Sequence, residues 1–163
     1  MSNVWFCSDL HFGHKAIGGF RQPHIMSEKE NRERICDDWY KVVHKKDVVY
    51  VLGDACFTME TIGQFEGLPG HKALVRGNHD NLDTQVYLKY FKSVEGILKY
   101  KEFWLTHAPI HPNELRGKVN LHGHVHYATI DDKRYFNCCP ENLWRVFGCS
   151  LISLDQIREY LKE

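Results

Sequence analysis

Seven residues of this chain are of types that bind divalent cations, and they recur in a regular pattern: Asp9 and His11, Asp54, Asn78, His107, then His124 and His126. Three sit directly after a glycine, in Gly53-Asp54, Gly77-Asn78-His79-Asp80 and Gly123-His124-Val125-His126, and Asp9-Leu10-His11-Phe12-Gly13 ends in one. Any one of them alone reads equally well as a helix cap or a hydrogen-bonded core residue. Together they supply what two neighbouring cations need: a carboxylate able to bridge, and nitrogen and oxygen donors from several directions. None of the seven is a cysteine, so the set suits manganese, iron, zinc or nickel, manganese foremost, over a thiolate zinc site. Its histidine content argues against an all-magnesium or calcium site. Such a metal pair generates a hydroxide near neutral pH and clamps a phosphoryl group. His79 is then placed to protonate a leaving group. His14, Lys15 and Arg76 are candidates to contact a substrate phosphate.

Converging these residues requires a particular succession of elements. Val4-Trp5-Phe6-Cys7, the run from Asp47 to Leu52 and the run from Lys72 to Arg76 read as buried strands. Each ends in a loop bearing Asp, Asn or His, and helical patterns follow. Ligands sit outside the carboxyl ends of strands in α/β sheets, so the repeated order predicts one shared cleft. Residues 13–27, with Gly18, Gly19 and Pro23, read as a loop of that cleft. Ser27 and Glu30 form a capping box for a helix to about His44, and Thr58 caps a short helix to about Gly67. A further helix is predicted over residues 83–91. From Ser93 the pattern changes to short strands over residues 94–100, 103–106, 119–121, 128–130 and 135–138, which predict a second, largely antiparallel sheet. Ser153 and Gln156 open a last helix to about Lys162.

Composition narrows the function classes. The formal net charge is zero, so no overall field draws the chain to nucleic acid or an anionic membrane, and phosphate recognition must be local. No run is long and apolar enough to span a membrane and no secretory signal is evident, which, with six cysteines lacking framework spacing, predicts a cytoplasmic protein of reduced thiols. Lys45-Lys46 and Arg116-Gly117-Lys118 read as solvated turns. Residues 1–163 are expected to form one domain.

The ordered set D-x-H … G-D … G-N-H-D … H … G-H-x-H resembles the calcineurin-like metallophosphoesterase superfamily over residues 9 to 126. The stretch from Ser8 to His14 and the tail Asn137 … Leu151-Ile152-Ser153-Leu154 look most like its small single-domain members from bacteria and phages. The resemblance implies an α/β fold, a four-layered α/β/β/α sandwich of two mixed sheets flanked by helices, without a cap domain. It implies Asp9, His11 and His126 on a first metal, Asn78, His107 and His124 on a second, Asp54 bridging, and His79 as acid. The activity implied is hydrolysis of phosphomonoesters or small phosphodiesters by a metal-bridging hydroxide. A nuclease or cyclic-nucleotide phosphodiesterase on the same site, and a non-catalytic scaffold, are the competing readings. A small phosphate ester or nucleotide is the expected partner, nucleic acid a further candidate, and the oligomeric state is left open. In one place the chain departs from the protein phosphatases of the superfamily. Those continue G-D-x-x-D-R-G, with the second Asp orienting the catalytic histidine, whereas this chain reads Gly53-Asp54-Ala55-Cys56-Phe57. Asp80 and Asp83 are the nearest carboxylates in sequence to take that part.

Overall fold

The computed structural model describes residues 2–21 and 25–162; Pro23 and His24 lie outside the described residues. Among the described residues, nine strands form two mixed sheets. The first sheet contains β1 (Val4–Cys7), β2 (Val48–Val51), β3 (His71–Val75), β4 (Ser93–Glu95) and β9 (Ile152–Ser153), in the order β4-β3-β2-β1-β9. Its strands are parallel except β9, which runs antiparallel to β1. The second contains β5 (Leu98–Tyr100), β6 (Phe103–Leu105), β7 (Val119–His122) and β8 (Tyr135–Asn137), in that order.

Alternation along the strands gives the first sheet two apolar faces. Cys7, Val49, Val51 and Leu74 pack with Ile35 and Trp39, whereas Phe6, Leu52 and Val75 meet Phe103, Leu105, Leu121 and Phe136 of the second sheet. Burying each such side chain contributes about 1.5–3 kcal/mol. Helices α1 (Ile17–Phe20), α2 (Glu28–Val42), α3 (Met59–Ile62), α4 (Gln64–Gly67), α5 (Thr84–Tyr87), α6 (Pro140–Phe147) and α7 (Leu154–Tyr160) flank the sheets. Both predicted capping boxes, Ser27 with Glu30 and Ser153 with Gln156, are formed, each worth about 1 kcal/mol. The result is the α/β sandwich the sequence predicts. No helix among the described residues is long and apolar enough to cross a membrane.

Four local expectations are corrected. The run 94–100 is not one strand: β4 closes the first sheet and β5 opens the second, and the chain crosses between them at Gly96 and Ile97. Residues 128–130 are not a strand but part of an irregular connection. The helix expected over 83–91 is the single turn α5 with Asp83 as its cap. Most consequential, β6–β7 and β7–β8 are parallel, and only β5–β6 is antiparallel. Parallel neighbours need a crossover of a dozen or so residues, and residues 106–118 supply one between β6 and β7. This pairing puts the segments after β6 and after β7 at the same sheet edge, which antiparallel strands would have placed at opposite ends.

Candidate metal centre

Five strand ends contribute to the centre. Asp9 and His11 follow β1, Asp54 follows β2, Asn78 and His79 follow β3, His107 follows β6, and His124 and His126 follow β7. The loops are laced together beyond the strands: the Asp9 amide donates to the Gly53 carbonyl (2.9 Å), that of His11 to Asp54 (2.9 Å) and that of Gly123 to His107 (2.8 Å). Asp80, expected only as a neighbour of His79, is a buried clamp. Its carboxylate accepts from the amides of Asp54, Ala55 and Gly77 at 2.8–2.9 Å, and burial pushes its pKa up against those bonds.

Close approach explains three of the motif glycines, Gly77 among them because a Cβ there would strike the Asp54 carboxylate and amide. A Cβ at Gly53 would strike the His107 ring, and one at Gly123 would strike Ser8 Oγ and Asp9 Oδ2. Five of the seven candidate ligands carry the strain that such packing imposes. Asp9, His11, Asp54, His124 and His126 all have left-handed backbone, with φ between 51° and 71°. Non-glycine residues there cost about 1 kcal/mol or more each and persist where surrounding contacts over-determine them, characteristically at functional sites.

The seven side chains meet in one cleft. His11 Nε2 lies 3.4 Å from Asp9 Oδ1 and 3.6 Å from Asp54 Oδ2, and His126 Nε2 lies 3.8 Å from Asp9 Oδ1. On the other side, His107 Nε2 is 3.4 Å from Asp54 Oδ2. Two groups have donor atoms close enough to share an ion: Asp9, His11 and His126, and Asp9, Asp54 and His107. Asp9 thus belongs to both, and Asp54 Oδ2 faces a nitrogen of each. Asn78 and His124 complete the second side. Asn78 Oδ1 is 2.8 Å from His107 Nε2 and 3.1 Å from His124 Nδ1, and the two imidazole nitrogens are 3.2 Å apart. Edges of about 3 Å are those of donors each about 2 Å from one cation.

The donor set fits a cation on a second count. Asp9 Oδ1 and both His11 ring nitrogens are buried with no hydrogen-bond partner among the described residues, although a buried unpaired polar atom costs about 1–3 kcal/mol. The charges are arranged to match. Burial alone would raise the Asp9 carboxyl, but His11, His107 and the Ser8 hydroxyl pull it well below the usual carboxylate range. Burial alone would lower His107, yet Asp54 and Asp9 lift it to about 9 in the metal-free protein.

Residues that carry no metal-binding motif hold the ligands in place. His107 Nδ1 donates to the Leu52 carbonyl at 2.9 Å, turning Nε2 into the cleft. His126 Nδ1 lies 3.0 Å from buried Glu141, leaving its Nε2 toward Asp9. Glu141 is in turn held by Arg21 at 2.8 Å. The fully buried Arg21 also donates to Asn31 Oδ1 and to the Asp9 carbonyl. Carboxylate–histidine pairs of this kind fix the tautomer and orientation of a ligating imidazole. Arg21, Asn31 and Glu141 escaped the reading of the sequence. Their one local signal was Pro140 at the first position of α6 with Gly148 as its left-handed cap, which would have placed Glu141 at a helix start.

The remaining candidates are placed as follows. His79 is exposed, its ring 5.8 Å from that of His11, and its amide donates to Asp54 Oδ1 at 2.8 Å. His14 is half-buried with its ring 5.6 Å from His11, and Lys15 is exposed in the same loop. Arg76 is engaged elsewhere: its guanidinium donates to the Asp80 and Leu82 carbonyls and to Thr84 Oγ1. Neither Asp80 nor Asp83 hydrogen-bonds the His79 ring. Asp80 holds the three amides named above, and Asp83 accepts from the Gln85 amide.

Comparison with known proteins identifies the family and the fold. Residues 2–160 match the family model for calcineurin-like phosphoesterases. The gene 66 protein of Mycobacterium phage L5 is 32% identical over 169 aligned positions, covering 80% of each chain. An uncharacterised protein of Methanocaldococcus jannaschii is 29% identical, covering 84% of this chain and 77% of its own. In fold, the crystal structure of AQ665, a protein of unknown function from Aquifex aeolicus, superposes with a TM-score of 0.78 at 24% identity, over 98% of this chain and all of that one. A structure described as a novel archaeal phosphodiesterase superposes at 0.53, with 16% identity over 90% of this chain and 88% of its own. The chain belongs to the calcineurin-like phosphoesterase family.

Proposed function

We propose that this chain is a dinuclear metal-dependent phosphoesterase acting on phosphomonoesters or small phosphodiesters, with manganese as the favoured metal. The observation that carries the reading is the convergence of seven nitrogen- and oxygen-bearing side chains from five strand ends on one cleft, where Asp9 Oδ1 and both His11 nitrogens have no hydrogen-bond partner among the described residues. Asp9, His11 and His126 would hold one cation and Asn78, His107 and His124 the other, with Asp54 between them. Bound there, two cations would supply positive charge to polarise the phosphoryl oxygens and to acidify the attacking water.

The chain's own residues do the rest. Glu141 and Leu52 fix which nitrogen His126 and His107 present. His79, exposed at the rim and tied to Asp54 through its amide, donates the proton to the departing oxygen. His14 and Lys15, on the loop after His11, contact the substrate phosphate. A reducing, cytoplasmic setting is supported by the six free cysteines, four of them buried.

The test is metal content of the purified protein, then hydrolysis of p-nitrophenyl phosphate and of its bis ester after manganese loading. Two metals per chain and hydrolysis of at least one ester are expected. Full loading without hydrolysis of either would sink the proposal. His79→Ala should keep both metals while lowering turnover by about 10²–10⁴-fold, most for poor leaving groups. Turnover lowered equally for all esters would remove its role as acid.

A further inference from the structure

Residue 57, where the protein phosphatases carry an aspartate, is Phe57, and its surroundings are unlike those of a core residue. It belongs to neither hydrophobic cluster. Its ring neighbours among the described residues are three imidazoles: His79 stacked at 4.9 Å and 26°, His14 edge-on at 4.5 Å and 62°, and His11 tilted at 5.3 Å and 34°. The backbone under this ring is fixed. The Phe57 amide donates to the Phe12 carbonyl at 2.8 Å, Cys56 bridges to Phe12, and Thr58 begins a capping box immediately after.

The His79 ring, by contrast, makes no hydrogen bond to any described residue; only its backbone is bonded, to Asp54 and Asn81. An exposed imidazole with no polar partner samples several rotamers, and an acid in that state presents its N–H only part of the time. The ring that defines its plane is Phe57.

We propose that Phe57 is a positioning residue: stacked on the His79 imidazole, it fixes the plane in which His79 presents its proton to the leaving group. Stacking here does by shape what a carboxylate would do by a hydrogen bond, and it leaves both ring nitrogens free for substrate and solvent. Edge-on contact with His14 and the tie to Phe12 keep the Phe57 ring from turning away. Aromatic pairs are worth little beyond their area, so the effect is a bias on orientation, not an essential contact. This inference rests on the reading of His79 as the acid, and the experiment separates the two.

Phe57→Leu, Phe57→Met, Phe57→Tyr and His79→Ala are compared with the parent on manganese-loaded protein, using aryl phosphodiesters of rising leaving-group pKa. Metal content is measured alongside, with the His79 Cε1–H resonance followed in the metal-free protein. Phe57→Leu and Phe57→Met should keep both metals, lose about two- to tenfold in kcat with the larger loss on poorer leaving groups, and barely change KM. Their His79 resonance should lose its ring-current shift. Phe57→Tyr, which keeps a ring, should restore both the resonance and the leaving-group dependence. The proposal is overturned if both non-aromatic variants keep the parent's leaving-group dependence, or lose rate equally on all esters together with metal. If the loss of rate in His79→Ala is the same for all leaving groups, the acid role fails first; if that loss grows with leaving-group pKa and the loss in Phe57→Leu does not, only the positioning role fails.

Discussion

Asp9 and His11 lie buried, with Asp9 Oδ1 and both His11 nitrogens lacking a hydrogen-bond partner among the described residues, whereas Asn78 and His124 are exposed and close on each other and on His107 through contacts of 2.8–3.2 Å. The first group is braced from outside, His126 by Glu141 and Glu141 by Arg21. The second satisfies itself. An unpaired buried acceptor destabilises the metal-free protein, and a bound cation removes that cost. Donors that already bond one another must give up those bonds to bind an ion. The first group is therefore expected to bind more tightly, and the second to exchange its ion more readily.

The largest break in this contrast is at Asp9, whose oxygens lie within ion-sharing reach of His11 and His126 on one side and of Asp54 and His107 on the other. Asp9→Asn should remove both metals, read as metal per chain after gel filtration, and Asp54→Asn should lower affinity on both sides. Next is His124→Ala, expected to leave one metal per chain, because the His124 ring bonds only Asn78 and His107 while its link to Asp9 is through the backbone amide, which alanine keeps. Loss of both would show that the groups do not bind independently. Smaller again is Glu141→Gln, which keeps the shape but weakens the brace on His126. It should weaken binding of the first metal by about 10–100-fold and leave the second unchanged.

The smallest expected effect is on pH dependence, and its sign follows from His107. In the metal-free protein its pKa is raised to about 9, so a metal must displace a proton there at neutral pH. Affinity on the second side should rise with pH up to about 9, beyond the 6.5 or so at which an ordinary histidine would level off. Stability of the metal-free protein should move the other way. A histidine with a raised folded pKa stabilises fully below its unfolded value and loses that contribution as pH rises through about 9. Thermal melts of metal-free and loaded protein between pH 6.5 and 9 check both signs, and parallel curves would count against the assignment of His107.

How much of this was legible in the sequence depended on whether its cause was local. The strand ends after β1, β2 and β3 announce themselves because apolar runs stop at Gly-Asp and Gly-Asn, and the capping boxes at Ser27 and Ser153 need only four residues each. The direction of β7 was misread because short strands alternating with turns look like a meander. Only the length of the 106–118 connection distinguished a crossover from a hairpin. Glu141 and Arg21 were invisible because they approach His126 and Asp9 only in space, from α6 and from the loop before α2. The left-handed backbone at Asp9, His11, Asp54, His124 and His126 was equally hidden. Aspartate and histidine enter that region more often than most residues, yet too seldom for residue type alone to predict it at five positions.

The central claim is that the cleft holds two unlike metal sites on either side of Asp54, and calorimetric titration of the metal-free protein with manganese tests it most directly. Two ions per chain are predicted in two phases, with the tighter phase selectively weakened by Glu141→Gln and the weaker one abolished by His124→Ala. A single ion per chain, or two equivalent ions that both variants weaken alike, would contradict the account.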